Sequence, residues 1–342
     1  MASESTSIAV MRPLYTSCAE HHRSTSPVFN GRLPLASDAP KTSFVTGDSP
    51  FLRLPTELRL QIYSLLVLPR KATDLLPSYD KISASTQDYY DYEKKQHGTD
   101  RPATADLSNP TLIFRTIDPV RYPTRGTPHT RTHYSVRCDR FRARLMSTTY
   151  HCVNPPNIGA AVGLLGANRQ IHNEAVELLY SSYTFDFDTH IEAIESFLSD
   201  LTPVARSVIK GVRIVKRALA YEKEFDRCEW ATAISALTSP VFGLHLRTLS
   251  LGVVAGKPGP NGWDHVAPYS AADFKLLVEL EGMEWLRDLL EIRSLNQLDV
   301  HAVVEHCPPA TNSMAMAGYI RFSASVESGL AEFLRDEMLG RA

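Results

Sequence analysis

The sequence predicts an α/β protein, with α+β as the alternative arrangement. Three observations carry this. After Tyr183, short apolar strands alternate with helical stripes to the end of the chain, the pattern of βα units on a parallel or mixed sheet. Two amphipathic helical stretches precede that array. The totals are those of a globular chain, 342 residues with 43% hydrophobic and 22% charged, long enough for one large or two ordinary domains.

Residues 1–47 are rich in Ser, Thr and Pro without periodicity and read as a disordered tail. In 48–70, Pro55 suits the first turn of a helix, and Leu58, Ile62, Leu65 and Leu66 recur at the helical period behind it. Glu57, Arg59, Gln61 and Ser64 take the other side, and Pro69 forces the preceding residue out of the α region. Residues 71–158 read as an insertion of flexible loops and a β-ribbon. Its strands are Thr111–Arg115 and Tyr134–Arg137 with Phe141–Leu145, set among the turn signals Asp118-Pro119, Tyr122-Pro123 and Thr127-Pro128.

Residues 159–342 open on a second stripe, Leu164, Ile171, Ala175, Leu178 and Leu179, with Arg169, His172, Glu174 and Glu177 off it. Strands are expected at Thr184–Phe187, Gly211–Val215, Leu246–Val254, Leu298–Val304 and Tyr319–Ala324. Helices are expected around Ile191–Leu201, Pro203–Ile209, Trp230–Leu237, Ala271–Ile292 (broken near Gly282) and Glu327–Met338.

Two of these stretches carry a resemblance. Leu54-Pro55-Thr56-Glu57-Leu58-Arg59, continuing through Ile62-Tyr63 to Leu65-Leu66, resembles the opening helix of an F-box, and more narrowly that of the F-box-like family of filamentous fungi. Gly163–Tyr180, containing Asn168-Arg169-Gln170-Ile171 and Glu174-Ala175, followed by Tyr183-Thr184-Phe185-Asp186-Phe187, is similar to that family's second motif. Together they cover 36 of 342 residues, and the second begins 95 positions after Leu68, so the box would be split by a large insertion. The resemblance implies an N-terminal F-box-like helical unit packed on an irregular βα array, loosely like degenerate leucine-rich repeats. It further implies that Leu54, Pro55, Leu58 and Ile62 dock on the Skp-type adaptor of a cullin ubiquitin ligase, with the array holding an unknown target protein. The rival reading is a scaffold or binding module that keeps the helix pair as structure only.

Other chemistry finds little footing. Five scattered cysteines (Cys18, Cys138, Cys152, Cys228, Cys307) without CxxC suit reduced thiols in the cytoplasm or nucleus. There is no apolar run of the ~20 residues that a membrane helix needs, so no membrane is expected. Residues 1–150 carry 20 Lys and Arg against 14 Asp and Glu, and the remainder 16 against 24. Eight arginines crowd 115–144, which could meet phosphates, but a solvated ribbon face is favoured over nucleic acid. His151-Cys152 and His306-Cys307 match no zinc spacing. Pro258 and Pro260 spoil the glycine-rich 256–262 loop as a phosphate cradle. No catalytic motif appears, and Asp186 with Asp188 is a carboxylate pair without an assigned role. No enzyme, metal or cofactor is therefore expected.

Overall fold

A computed structural model describes residues 49–68, 110–117, 132–137, 145–152, 163–218, 224–254, 266–293, 295–303 and 314–340. They fall in one unit of contacts, residues 42–342; the other, 1–41, lies outside the described residues, as do the expected tail, the 256–262 loop and most of the arginine-rich segment.

The architecture is mixed α/β. Seven strands are described: β1 (Thr111–Ile117), β2 (Thr132–Arg137), β3 (Leu145–Cys152), β4 (Thr184–Asp188), β5 (Gly211–Arg217), β6 (Thr248–Val254) and β7 (Gln297–Val303). They form one sheet in the order β2-β3-β1-β4-β5-β6-β7. β1 and β4 to β7 are parallel neighbours, while β3 runs antiparallel to both β1 and β2. The expected strand runs at Thr111–Arg115 and Tyr134–Arg137 fall in β1 and β2, but β3 lies between them, and β1 also pairs with β4, which joins it to the array's own sheet. β3 starts where the second ribbon strand was expected to end.

The described helices are α1 (Thr56–Val67), α2 (Arg169–Ser182), α3 (Ala193–Asp200), α4 (Pro203–Ser207), α5 (Glu224–Thr238), α6 (Ala271–Leu277), α7 (Glu284–Leu289), α8 (Met314–Ser325) and α9 (Ala331–Met338). Strand side chains alternate by face. Phe185, Phe187, Val212, Ile214, Leu249, Leu251, Leu298 and Val300 join Trp230, Ile234, Leu286 and Phe333 from the helices in one core. The other face is polar along one register row, Asp186, Arg213, Ser250 and Asp299 on four adjacent strands. Further along the strands, Val215, Val254 and Val303 make a small separate cluster.

Of three local features, two differ from the sequence expectation, and the break at Gly282 agrees with it. Leu164–Tyr180 is not one helix: a turn at 163–167 precedes α2, whose Asn168 cap accepts from the Gln170 amide at 2.7 Å. The Ala271–Ile292 pattern breaks at Gly282, where φ is +89°, giving α6 and α7. Tyr319–Ala324 is not a strand but part of α8. Its alternating Ile320, Phe322 and Ala324 suggested a two-residue period. The buried set is Tyr319, Phe322 and Val326, which is helical spacing.

Between α8 and α9 the chain makes a π-turn, Val326–Leu330. The loop ahead of α6 lies across it. The Tyr269 amide donates to Ser325 Oγ at 2.6 Å, and the Arg321 guanidinium stacks 4.0 Å from the Tyr269 ring. Gly329 permits this approach, since a Cβ there would sit 2.0 Å from the Tyr269 carbonyl oxygen. Gly329→Ala is expected to destabilise the protein by about 3 kcal/mol through that backbone clash. Gly318→Ala, in α8 with nothing within 4 Å of the added carbon, should stabilise it by about 0.5–1 kcal/mol. Urea-unfolding midpoints of the two variants moving in the same direction would contradict this account.

Candidate protein-docking site

α1 meets the rest of the protein through Arg59, Tyr63 and Val67, one residue per turn at i, i+4 and i+8. Arg59 had been assigned to the outer side by sequence; it is 5% exposed. The correction has a physical cause. Its Nε and Nη2 donate to the two carboxylate oxygens of Glu174 on α2, at 2.9 and 2.6 Å, a bidentate geometry that a lone helix pattern cannot reveal. Tyr63 donates to the same carboxylate at 3.0 Å, and Gln170 to it at 3.1 Å. The Tyr183 hydroxyl donates to the Val67 carbonyl, supplying a partner to the open C-terminal end of α1. Phe51 tilts against Tyr63 with ring centroids 5.8 Å apart.

Turning this stripe inward turns the leucines outward. Leu58 is 45% exposed, Leu65 56% and Leu66 42%, while Ile62 and Leu54 are half-buried and Pro55 is exposed. Pro55 sits at the N-cap, one position before the expected first turn, with its carbonyl accepting from the Leu58 and Arg59 amides. Leu68 is extended at the C-cap, as a residue before proline should be. Of the four residues assigned to partner binding, Leu58 and Ile62 therefore share an outward helix face. Pro55 lies at its N-terminal end and Leu54 in the turn before it. Arg59, Tyr63 and Glu174, which position that face, were missed. The available signal was the unbroken four-residue spacing of Arg59, Tyr63 and Val67.

A polar cluster gathers at the carboxyl ends of β1, β4 and β5. Thr116 Oγ1 lies 2.6 Å from His190 Nδ1 and donates to Glu192 at 2.9 Å. Burial acts to raise the Glu192 carboxyl, yet its bonds from His190 and Thr116 hold it below the usual range. Glu229 on α5 is pushed up to about 8, by burial first and then by the charges of Glu192 and Asp226. Across the polar face of the sheet, Arg115 is buried and lies 3.3 Å from Asp188 and 3.9 Å from Asp186. This side chain is not on a solvated ribbon face; the side chains of the other arginines of 115–144 lie outside the described residues. Arg213 approaches Asp186 at 3.9 Å and His301 Nε2 at 3.3 Å. Among the described residues, no group of three or more His, Cys, Asp or Glu is placed to hold a metal ion, and no helix is long and apolar enough to cross a membrane.

The Arg59 guanidinium bound to Glu174 holds that carboxyl down at about 2, against an ordinary 4.5. The pair therefore stabilises the fold fully above pH ~4.5, where the unfolded chain also ionises Glu174, and loses its contribution as pH falls toward 2. The gap in thermal midpoint between the protein and Glu174→Gln should be widest above pH 5 and narrow steadily toward pH 2. A gap independent of pH would remove the ion pair from the account. No protein-family model, curated protein or solved structure matches this chain.

Proposed function

We propose that the chain is a non-enzymatic protein-interaction module, the substrate-recognition subunit of a Skp–cullin–F-box ubiquitin ligase. In this reading α1 and α2 are the first and last parts of an F-box-like unit of the fungal kind, split by the segment between them. The Skp-type adaptor contacts Leu54, Pro55, Leu58 and Ile62, and an unidentified target protein contacts the βα array. The cytoplasm or nucleus, where that machinery works, is the proposed location.

The observation that carries the reading is the outward leucine face of α1. A helix packed only as structure would turn Leu58, Leu65 and Leu66 inward, where each fully buried side chain is worth about 1.5–3 kcal/mol. Here they are more than a third exposed, while an arginine and a tyrosine face the core. Contiguous apolar surface of this kind commonly marks a protein contact. The packing of α1 on α2 supports the idea of a single split unit. The strand order β4-β5-β6-β7, with apolar side chains on one face and a polar row on the other, supports an irregular leucine-rich-repeat-like array. A specific observation also favours the scaffold reading: Leu54 and Ile62 are half-buried, which lessens the area they offer.

Co-purification separates the two. The full chain should retain a Skp-type adaptor, and Leu54→Asp with Leu58→Asp should abolish that capture while the circular dichroism spectrum and unfolding midpoint stay near the parent's. If the parent protein brings down no adaptor, the ligase reading is lost and the scaffold reading stands.

A further inference from the structure

The Arg59 side chain has a second set of contacts, on its free edge. Nη1 donates to the carbonyls of Leu52 (at 3.2 Å) and of Leu54, and Nη2 donates to Thr56 Oγ1 at 3.1 Å. These groups surround the start of α1, where no side chain caps the helix because the N-cap residue is Pro55. Among the described residues, two backbone bonds close the turn ahead of it, Leu52 to Ser49 and Leu54 to Phe51, at 2.8 and 3.2 Å. A guanidinium is planar and rigid. Once Glu174 occupies the edge formed by Nε and Nη2, the remaining donor points in a fixed direction, toward those carbonyls.

We propose that Arg59, aimed by Glu174, is the positioning residue of the docking surface: it fixes the Leu54-Pro55 turn against the first turn of α1. α2 thereby sets the geometry of a surface to which it contributes no side chain. The inference rests on the docking reading for what the surface is for, but not for the mechanical link itself. A helix–helix ion pair alone would tie α1 to α2 and leave the turn to its two backbone bonds and the packing of Phe51 on Tyr63. The bonds to Leu52 and Leu54 extend the tie by one more step, to the residues the adaptor is proposed to touch.

Amide hydrogen exchange on the full chain tests the link without any partner. In Glu174→Gln, exchange at Leu52, Leu54 and Leu58 should quicken about tenfold, the equivalent of one hydrogen bond to a charged group, with β5 and β6 unchanged. The reciprocal exchange, Arg59→Glu with Glu174→Arg, should recover most of the unfolding midpoint yet leave the turn exchanging fast, because a carboxylate at 59 cannot donate to carbonyls. Unchanged exchange at 52–58 in Glu174→Gln, or full recovery there in the reciprocal variant, would overturn the proposal. Should Glu174→Gln lose protection in β5 and β6 as well, Arg59→Lys decides. Its ammonium can keep the ion pair but not the whole set of contacts, so local acceleration supports the link and its absence refutes it. Where the parent captures the adaptor, Glu174→Gln should weaken that affinity about tenfold with every contact residue intact. A parent that captures none ends the ligase reading and leaves the exchange result standing.

Discussion

One ion pair organises the N-terminal part of this protein. Arg59 and Glu174 are 115 positions apart in sequence, and their bidentate contact rotates α1 so that a charged residue and a tyrosine face inward. A partly buried guanidinium is tolerated only where its donors are satisfied, and here Nε, Nη1 and Nη2 each have an acceptor. Since the rotation of a helix moves all its side chains together, the inward turn of Arg59, Tyr63 and Val67 and the outward turn of Leu58 and Leu66 are one choice. The burial of Val67 in the main core, and the bond from Tyr183 to its carbonyl, hold that choice from the other end of the helix.

What could be read from the sequence followed how local the cause was. β5, β6 and β7 are specified by their own apolar periods, and the structure places them within two residues of the expected bounds, while the helix expected around Trp230–Leu237 starts six residues earlier, at Glu224. α1 was legible as a helix and its ends were set by Pro55 and Pro69. Its facing was marked only by the four-residue spacing of Arg59, Tyr63 and Val67, because the reason for it, Glu174, is a long-range partner. β3 was missed for a related reason: Leu145–Cys152 has little apolar alternation, and its buried Thr149 and Tyr150 are adjacent, which no two-residue period predicts. It is a strand because β1 and β2 offer ladders on both sides. At Tyr319–Ala324 two periods fitted six residues equally well, and contacts with the 266–270 loop and Phe274 decided for the helix.

The polar side of the sheet follows a different logic from the apolar one. Its charges are arranged in opposite-sign sequence across the strands, Arg115 near Asp186 and Asp188, then Arg213 near Asp186. The register slips between Asp186 and Asp188, and Asp188 takes a left-handed φ of +48°. Asp186 steadies that slip by accepting the Asp188 amide at 2.8 Å, a local bond that asparagine and aspartate make readily. The aspartate pair thus has a structural task, shaping the end of β4 and meeting a buried arginine, which accounts for two carboxylates that sequence alone left without a role.

The carboxyl ends of the strands show the opposite balance. There Glu229 keeps its proton near neutral pH because burial and two nearby carboxylates oppose its charge, whereas Glu192 is ionised beside His190 and Thr116. Both states follow from the same crowding: with Glu192 already charged, a second ionisation close by costs more than retaining the proton. The α1–α2 contact solves its electrostatics by pairing, one carboxylate with one guanidinium. This edge solves it by leaving one carboxyl neutral. Pairing fixes directions as well as charges, since a planar fork has few ways to meet a carboxylate. That difference is why the Arg59–Glu174 contact ties α1 to α2 in one orientation, while the Glu229 cluster rests on a balance of burial and charge.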